Sequence, residues 1–236
     1  MRGQRFAWGA AMGAALVFGC SSSNDSGVLG NGQFRYLCGS LLGDAACTGA
    51  GSLSSEVDLP SVIAVGATFQ IGYAPNNGSG GTVEGANGYE IVPASDELAL
   101  ASGNTIVAQE GGYVALLARH AGNADVDDFV HLRLSAIQTL QASPSSLTLV
   151  AGESQAVVLA AHDARGAPLA GQLACVWQMT SGAGTVALPG TPSTGRVSVQ
   201  GVSGGTATLR ATCGAASVDV PVTVSGSGAL DGGTDG

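Results

Sequence analysis

The chain has 236 residues and a formal net charge of −9, and only 11% of its residues are charged and 5% aromatic. This acidity excludes partners that are bound through a basic surface, namely nucleic acids and anionic lipid headgroups. The length allows one or two domains, whose cores must consist mainly of Val, Leu, Ala and Ile.

The N-terminal residues have the three parts of a secretory signal peptide. The basic residues Arg2 and Arg5 precede an uncharged apolar run over residues 6–19, and this run ends in a small residue, Gly19. This run is shorter than the roughly 20 residues that a transmembrane helix needs. We therefore expect residues 1–19 to direct export rather than to span a membrane.

The end of this segment, Val17-Phe18-Gly19-Cys20, resembles the lipobox of bacterial lipoproteins. Val17 matches its aliphatic position and Gly19 its small position, whereas Phe18 stands where a smaller residue is usual. The resemblance implies that cleavage makes Cys20 the N-terminus and that Cys20 carries several acyl chains, which hold a protein firmly on a membrane. Ser21, in place of the Asp of inner-membrane retention signals, implies the outer membrane. The alternative is ordinary signal cleavage beside an unmodified cysteine.

The other four cysteines indicate disulfides. An even number fits an oxidising compartment, and four cysteines allow three pairings. We favour the two local pairs, because each would then lie within one domain. These pairs are Cys38 with Cys47 and Cys175 with Cys213.

Residues 20–32 and 225–236 have the composition of flexible segments. Both are rich in Gly, Ser, Asn or Asp and contain few apolar residues, so neither can bury enough surface to fold alone. We expect the first to be a tether between the membrane and the first domain, and the second to be a disordered tail.

Residues 136–224 show short alternating runs separated by Gly, Pro and Ser, which is typical of an antiparallel β-sandwich. In residues 206–213, apolar side chains share one face and polar side chains the other. The last run places its valines inward and Pro221 outward, a position that suits an edge strand.

Three features of this region resemble bacterial Ig-like domains of group 2, the type found in invasin and intimin. They are Ser143-Pro144-Ser145-Ser146-Leu147-Thr148-Leu149 followed by Ala151-Gly152, the internal Trp177, and Gly204-Gly205-Thr206-Ala207-Thr208-Leu209. The resemblance implies an Ig-like sandwich in which the strands of Cys175 and Cys213 are neighbours. It also implies roles in adhesion, spacing or enzyme accessory modules rather than one fixed function.

Residues 33–135 are a weaker copy of the same plan. Residues 60–66 parallel the Pro144 run, and residues 111–118 parallel residues 204–211, with the same Gly-Gly, Leu and Ala spacing. The sequence thus predicts an all-β chain with two tandem Ig-like sandwiches. Because residues 135–142 contain no Gly or Pro run, we expect a semi-rigid rod.

The sequence contains no set of residues that predicts catalysis. Gly201-Val202-Ser203-Gly204-Gly205 matches a nucleophile elbow, but a strand rather than a helix is predicted after it, so we interpret it as a tight turn. His120, His131 and His162 lack the spacing of zinc ligands. We predict no enzymatic activity, no cofactor and no metal site.

Two polar loops remain open to interpretation. Asp125-Val126-Asp127-Asp128 is either a calcium-binding loop or a solvated turn. The tip at residues 76–81 is either a binding loop or a flexible turn. Neither pattern identifies a ligand.

Together these patterns predict a lipid-anchored protein of the cell envelope, in the outer membrane, whose Ig-like rod serves adhesion, partner binding or spacing. The expected partners are the membrane, through the N-terminal lipid, and a protein or glycan at the cell surface. The alternative is a module that binds a glycan or small ligand. This alternative needs an exposed aromatic platform.

Overall fold

The computed structural model describes residues 26–38, 43–48, 56–77, 88–122, 125–190 and 194–226. The signal segment with Cys20, the tail after residue 226 and most of the tip at residues 76–81 lie outside these ranges. Within them nearly all of the regular secondary structure is β-strand, as predicted. No helix in the described ranges is long and apolar enough to cross a membrane.

The first half of the chain forms two sheets. Their strand orders are β2-β1-β4-β7-β6 and β3-β9-β8-β5. The elements are β1 Gly32–Leu37, α1 Ala45–Thr48, β2 Glu56–Val57, β3 Val62–Ala64, β4 Thr68–Pro75, β5 Tyr89–Pro93, β6 Ala99–Ser102, β7 Thr105–Ala108, β8 Gly112–His120 and β9 Val126–Ser135. Among these strands, β3 and β9 pair in parallel.

The second half also forms two sheets. Their strand orders are β10-β12-β16-β15, with β13 beside β12, and β11-β18-β17-β14. The strands are β10 Thr139–Ser143, β11 Leu147–Val150, β12 Ser154–His162, β13 Pro168–Leu169, β14 Val176–Ser181, β15 Val186–Ala187, β16 Arg196–Gly201, β17 Gly205–Cys213 and β18 Ala216–Ser225. Here β11 and β18 are the parallel pair.

The two halves share one topology. In each, the first strand lies in one sheet, and a later strand crosses to the other sheet to run parallel to the last strand. The resulting orders are those of strands A-B-E-D and A′-G-F-C of an immunoglobulin sandwich. The chain is therefore two tandem Ig-like β-sandwiches. The repeated segments noted in the sequence fall on the equivalent strands β8 and β17, and Leu116 and Leu209 are fully buried in both.

Each sandwich has its own core, because alternate residues of every long strand point inward. The first core is built around aromatic and branched side chains, including Phe34, Tyr36 and Phe69. The second is mainly aliphatic around Trp177. Burying one such side chain stabilises the fold by about 1.5–3 kcal/mol, so the two cores supply most of the driving force for folding.

Both expected disulfides are present. Cys213 ends β17 and Cys175 directly precedes β14, and because β14 pairs with β17, their bond joins neighbouring strands of one sheet. The Cys38–Cys47 bond joins the end of β1 to α1. It therefore fixes α1 to the first sandwich.

Two local features differ from expectation. The last residues of the predicted tether belong to the first sandwich: Ser26 pairs with Gln33, and the N–H of Val28 donates to the carbonyl oxygen of Phe129 at 2.8 Å. Pro221 is exposed as predicted, but β18 is an inner strand rather than an edge. Because β11 pairs with β18 only from Val222 onward, Pro221 lies just beyond that ladder and its missing N–H is tolerated.

Candidate functional site

The two sandwiches are joined by backbone pairing as well as by the linker between β9 and β10. The Ala170 N–H donates to the Val62 carbonyl at 3.0 Å, and the Ala64 N–H donates to the Ala170 carbonyl at 2.9 Å. Thr68 and Gln172 exchange two further bonds of 3.0 and 2.8 Å. The segment after β13 thus extends the open edge of β3, so part of the second sandwich continues a sheet of the first.

Asp44, a buried carboxylate, lies at this junction. It accepts the hydroxyl of Tyr36, the N–H of Ala46 at 2.9 Å and the N–H of Gly171 at 3.1 Å. It therefore caps α1 and binds the backbone of the second sandwich at the same time. Burial, and then the charge of Asp44, raises the pKa of Tyr36, so the phenol stays neutral and continues to donate.

Two glycines allow this close approach. Gly171 has a φ of +107°, and a Cβ there would lie 2.6 Å from the Cβ of Ala67. Gly43 has a φ of +86°, and its Cβ would lie 2.8 Å from the Cβ of Arg196. Any larger residue at either position would be strained and would push the sandwiches apart.

An ion pair also crosses the junction. Arg133 Nη2 lies 2.5 Å from Asp163 Oδ2. Asp163 also accepts the N–H groups of Arg165 and Ala167, both at 2.9 Å. The Ala167 amide, followed by Arg133, lowers the pKa of Asp163. The carboxylate is thus charged at neutral pH and fixes its own loop against the first sandwich.

Asp128 lies at the other end of the first sandwich and is fully buried. It accepts four backbone N–H groups, at distances of 2.8 to 3.1 Å. The donors are Leu29, Asn31, Gly32 and Phe129. A solvated turn therefore does not describe this residue, because its carboxylate anchors the N-terminal turn. Among the described residues, no group of three potential ligands could hold a metal ion.

An aromatic cluster lies beside Asp128. The Tyr73 hydroxyl donates to Asp127 Oδ2 at 2.5 Å. The ring centroid of Tyr73 lies 4.9 Å from that of Phe34 and 5.1 Å from that of Tyr89, and Tyr89 in turn lies 4.4 Å from His120. Burial is the first cause that raises the pKa of both tyrosines, and Asp127 contributes to both shifts. Both phenols therefore stay protonated at neutral pH.

The two tyrosines form one side of a pocket of about 200 Å³ between β4 and β5. Its lining consists of Ile71, Gly72, Tyr73, Gly88, Tyr89, Ile91 and Asn104. Phenol hydroxyls and a side-chain amide can form hydrogen bonds, and because Ile71 and Ile91 are only 1% and 5% exposed, these polar groups and the tyrosine rings provide most of the surface. The arrangement is suited to binding a small uncharged molecule.

The structure does not bring the other sequence candidates together. His120, His131 and His162 lie on three different strands, β8, β9 and β12. Ser203 lies in the turn between β16 and β17, where its hydroxyl donates to the Gly184 carbonyl at 2.9 Å; a strand follows it, as the turn interpretation requires. Trp177 is buried, and its Nε1 donates to the Thr194 carbonyl at 2.9 Å.

No protein-family model and no curated protein matches this chain. Solved structures with similar folds include the Escherichia coli adhesin FdeC, at 17% identity over 70% of this chain and 60% of that chain, with a TM-score of 0.33. Invasin, a bacterial integrin-binding protein, is similar at 12% identity over 71% of this chain and 39% of that chain, with a TM-score of 0.32.

The surface-layer protein SbsC, domains 4–9, is similar at 16% identity over 84% of this chain, with a TM-score of 0.33. This chain spans 30% of that structure's length and about a quarter of two other SbsC structures, at 23% and 25%. The Ig-like fold itself rests on the strand order described above.

Proposed function

We propose that this protein is a lipid-anchored component of the cell envelope. In this proposal its two joined sandwiches act as one stiff unit for adhesion, partner binding or spacing at the cell surface. The observation that carries the stiff unit is the junction, where backbone pairs, a buried carboxylate and an ion pair all connect the sandwiches.

Stiffness follows from what a movement at the junction would break. Val62, Ala64 and Ala67 belong to the first sandwich in sequence, yet they are buried in the core of the second. Bending would expose these side chains, break four backbone hydrogen bonds and separate Asp44 from Gly171. Free movement between tandem domains is expected unless their interface is large and hydrophobic, and here apolar side chains of one sandwich are part of the core of the other.

The anchor is supported by the sequence alone, since Cys20 lies outside the described residues. The lipobox resemblance implies several acyl chains on Cys20, and each buried methylene contributes about 0.8 kcal/mol to membrane binding. The acidic chain offers no polybasic patch that could replace the lipid. A stiff unit on a lipid anchor would project its distal surface away from the membrane.

Intact mass and membrane fractionation of the native protein test the anchor, with Cys20→Ser as the variant. We expect the wild-type chain to begin at Cys20, to carry acyl mass and to sediment with membranes. Cys20→Ser should lose both properties. A soluble, unacylated wild-type protein would contradict the proposal.

Small-angle X-ray scattering tests the stiffness with a matched pair of glycine variants. Gly171→Ala inserts a Cβ into the junction, whereas Gly166→Ala has a similar positive φ of +77° but meets nothing within 4 Å. Both changes place a side chain on a residue with a left-handed φ, but only Gly171→Ala also disturbs the junction. We therefore expect only Gly171→Ala to broaden the distribution of maximum dimensions. Equal scattering from the two variants would show that the junction does not set the shape.

A second candidate function is favoured by the pocket beside Tyr73 and Tyr89. It is the aromatic platform that a glycan- or small-ligand-binding module requires. In that case the stiff unit presents a binding site, and the two candidate functions are combined in one molecule.

A further inference from the structure

We propose that the pocket between β4 and β5 binds one neutral sugar ring of a glycan. This inference rests on the proposed function, because it identifies the surface partner as an uncharged glycan. Its site lies in the first sandwich, within the residues that the structure describes.

The pocket exists because one strand is shorter than its neighbour. β7 pairs with β4 from Thr68 to Gln70 and then ends, while β4 continues to Pro75. The side of β4 beyond Gln70 is therefore left open toward β5 in the facing sheet. The buried Ile71 and Ile91 line its inner side, and its volume of about 200 Å³ suits a single pyranose ring.

The aromatic walls are held by contacts outside the pocket. The ring of Tyr73 packs on Phe34 and over Gly32, where a Cβ would lie 2.4 Å from the ring. Its hydroxyl is held by Asp127. The Tyr89 hydroxyl lies 3.3 Å from His120 Nε2. Because both rings are already ordered, a ligand would lose little affinity to side-chain ordering.

The charges around the pocket select the ligand class. Asp127 lies beside Tyr73, and the whole chain carries a net charge of −9, so phosphorylated and acidic sugars are repelled. The phenols of Tyr73 and Tyr89 are neutral at pH 7, as tyrosines with the ordinary pKa of about 10 are, and burial raises the pKa of both further. The site therefore offers uncharged hydrogen-bonding groups next to carbon surface.

A neutral pyranose is complementary to such a site. Its C–H face can pack on an aromatic ring, as apolar surfaces of amphipathic ligands do. Its hydroxyls can donate to the Tyr73 oxygen, whose own proton is given to Asp127, and can donate to or accept from the Asn104 amide and the Tyr89 hydroxyl. Polar groups thus make up most of the surface that the sugar would contact, and the tyrosine rings supply its carbon surface.

Saturation-transfer NMR on the purified full chain in detergent tests the inference. The probes are the methyl pyranosides of glucose, galactose, mannose and N-acetylglucosamine, with phosphocholine as a charged probe. We expect at least one neutral pyranoside to bind. Asn104→Ala should weaken this binding about tenfold, and Tyr89→Ala should abolish it.

Tyr113→Ala is the matched control, because Tyr113 is 71% exposed on the outer face of the same sandwich and should leave binding unchanged. Asn104 is exposed in the turn between β6 and β7, so its variant should fold normally, as urea unfolding would verify.

The inference is overturned if no neutral pyranoside shows transfer, if only phosphocholine binds, or if Asn104→Ala and Tyr89→Ala bind as the wild type does. Absent sugar binding alongside normal acylation of Cys20 and a stiff junction would reject this site alone and leave the envelope function standing. Loss of acylation with intact sugar binding would reject the lipid anchor and leave the sugar site standing.

Discussion

The two sandwiches have the same strand order but are completed in different ways. The second has an apolar core that contains its own disulfide, Cys175–Cys213, between neighbouring strands. The first has its disulfide at the margin of its core, between the end of β1 and α1, where both cysteines are partly buried. It also buries two carboxylates, Asp44 at the junction and Asp128 at the opposite end, whereas the second sandwich buries one in its described part, Asp163, which pairs with Arg133 of the first.

The difference shows that one topology can be stabilised by contacts within the sandwich or by contacts with the segments attached to it. A buried carboxylate is costly unless several donors satisfy it. Asp128 obtains its donors mainly from the N-terminal turn, and Asp44 obtains one of its donors from the second sandwich. The polar groups of the first sandwich are therefore satisfied only when these neighbouring segments are in place.

The largest effect in this comparison is expected from Asp128→Ala. The substitution leaves four backbone N–H groups without their acceptor, that of Gly32 buried and the other three partly buried, so we expect a loss of about 3–5 kcal/mol in the free energy of unfolding. Urea denaturation followed by tyrosine fluorescence would measure it. Asp219→Ala, which removes an exposed partner of Arg210, should change stability little. Similar losses of stability in the two variants would show that Asp128 stabilises the fold no more than an exposed carboxylate does.

The two disulfides should differ in the same comparison. Cys175 and Cys213 are separated by 38 residues and Cys38 and Cys47 by 9. By loop entropy, replacing the first pair with alanine should cost about 3–4 kcal/mol, and replacing the second about 2–3 kcal/mol. Calorimetry of the two double variants would compare them. A larger loss from the short loop would mean that its bond stabilises the junction more than its own loop.

Tyr36→Phe tests the junction end of the first sandwich. Asp44 loses one donor, so we expect a loss of about 1.5–3 kcal/mol at neutral pH. Because the pKa of Tyr36 is raised in the folded state, its contribution is present below about pH 10, the ordinary tyrosine value, and falls as the pH rises further.

The variant should therefore lose less stability than the wild type in alkali. Thermal unfolding from pH 7 to 11 measures this difference, with the exposed Tyr113→Phe as the control. Parallel pH curves for wild type and Tyr36→Phe would contradict the assignment.

The smallest effect is expected from Asp163→Asn. The pKa of Asp163 is lowered on folding, so its stabilising contribution is present above about pH 4, the unfolded value, and is lost as the pH falls through the lower folded value. The variant should be less stable than the wild type at pH 7 and should approach it near pH 2. Melting temperatures across this range would show the convergence. A difference in melting temperature that is the same at all pH values would mean that the charge of Asp163 does not contribute to stability.

The sequence predicts much of the strand framework, because its signals are local. The alternation in residues 206–213 assigns inward and outward faces correctly, and the shared Gly-Gly, Leu and Ala spacing identifies β8 and β17 as equivalent strands. The two disulfide pairs follow from the same division into domains. Such patterns depend on neighbours within a few residues.

The candidate sites could not be predicted in this way. Asp128 binds N–H groups 96 to 99 residues away, and Asp44 binds Gly171 across 127 residues. The alternation of apolar and polar residues gives no information about contacts between residues so far apart in the sequence. The helix α1 has only four residues, too few to give a pattern. Tyr73 and Tyr89 form one wall only because β7 is short, which depends on how the sheet is paired.

The pairing of Ala170 with β3 also bears on aggregation. β3 is the outermost strand of its sheet, and an unpaired outer strand is a template on which other chains can assemble. The second sandwich covers that strand with its own backbone. Because a chain is synthesised from its N-terminus, the first sandwich forms with this strand uncovered, and the strand is protected from pairing with other chains only after residues 169–172 have been added.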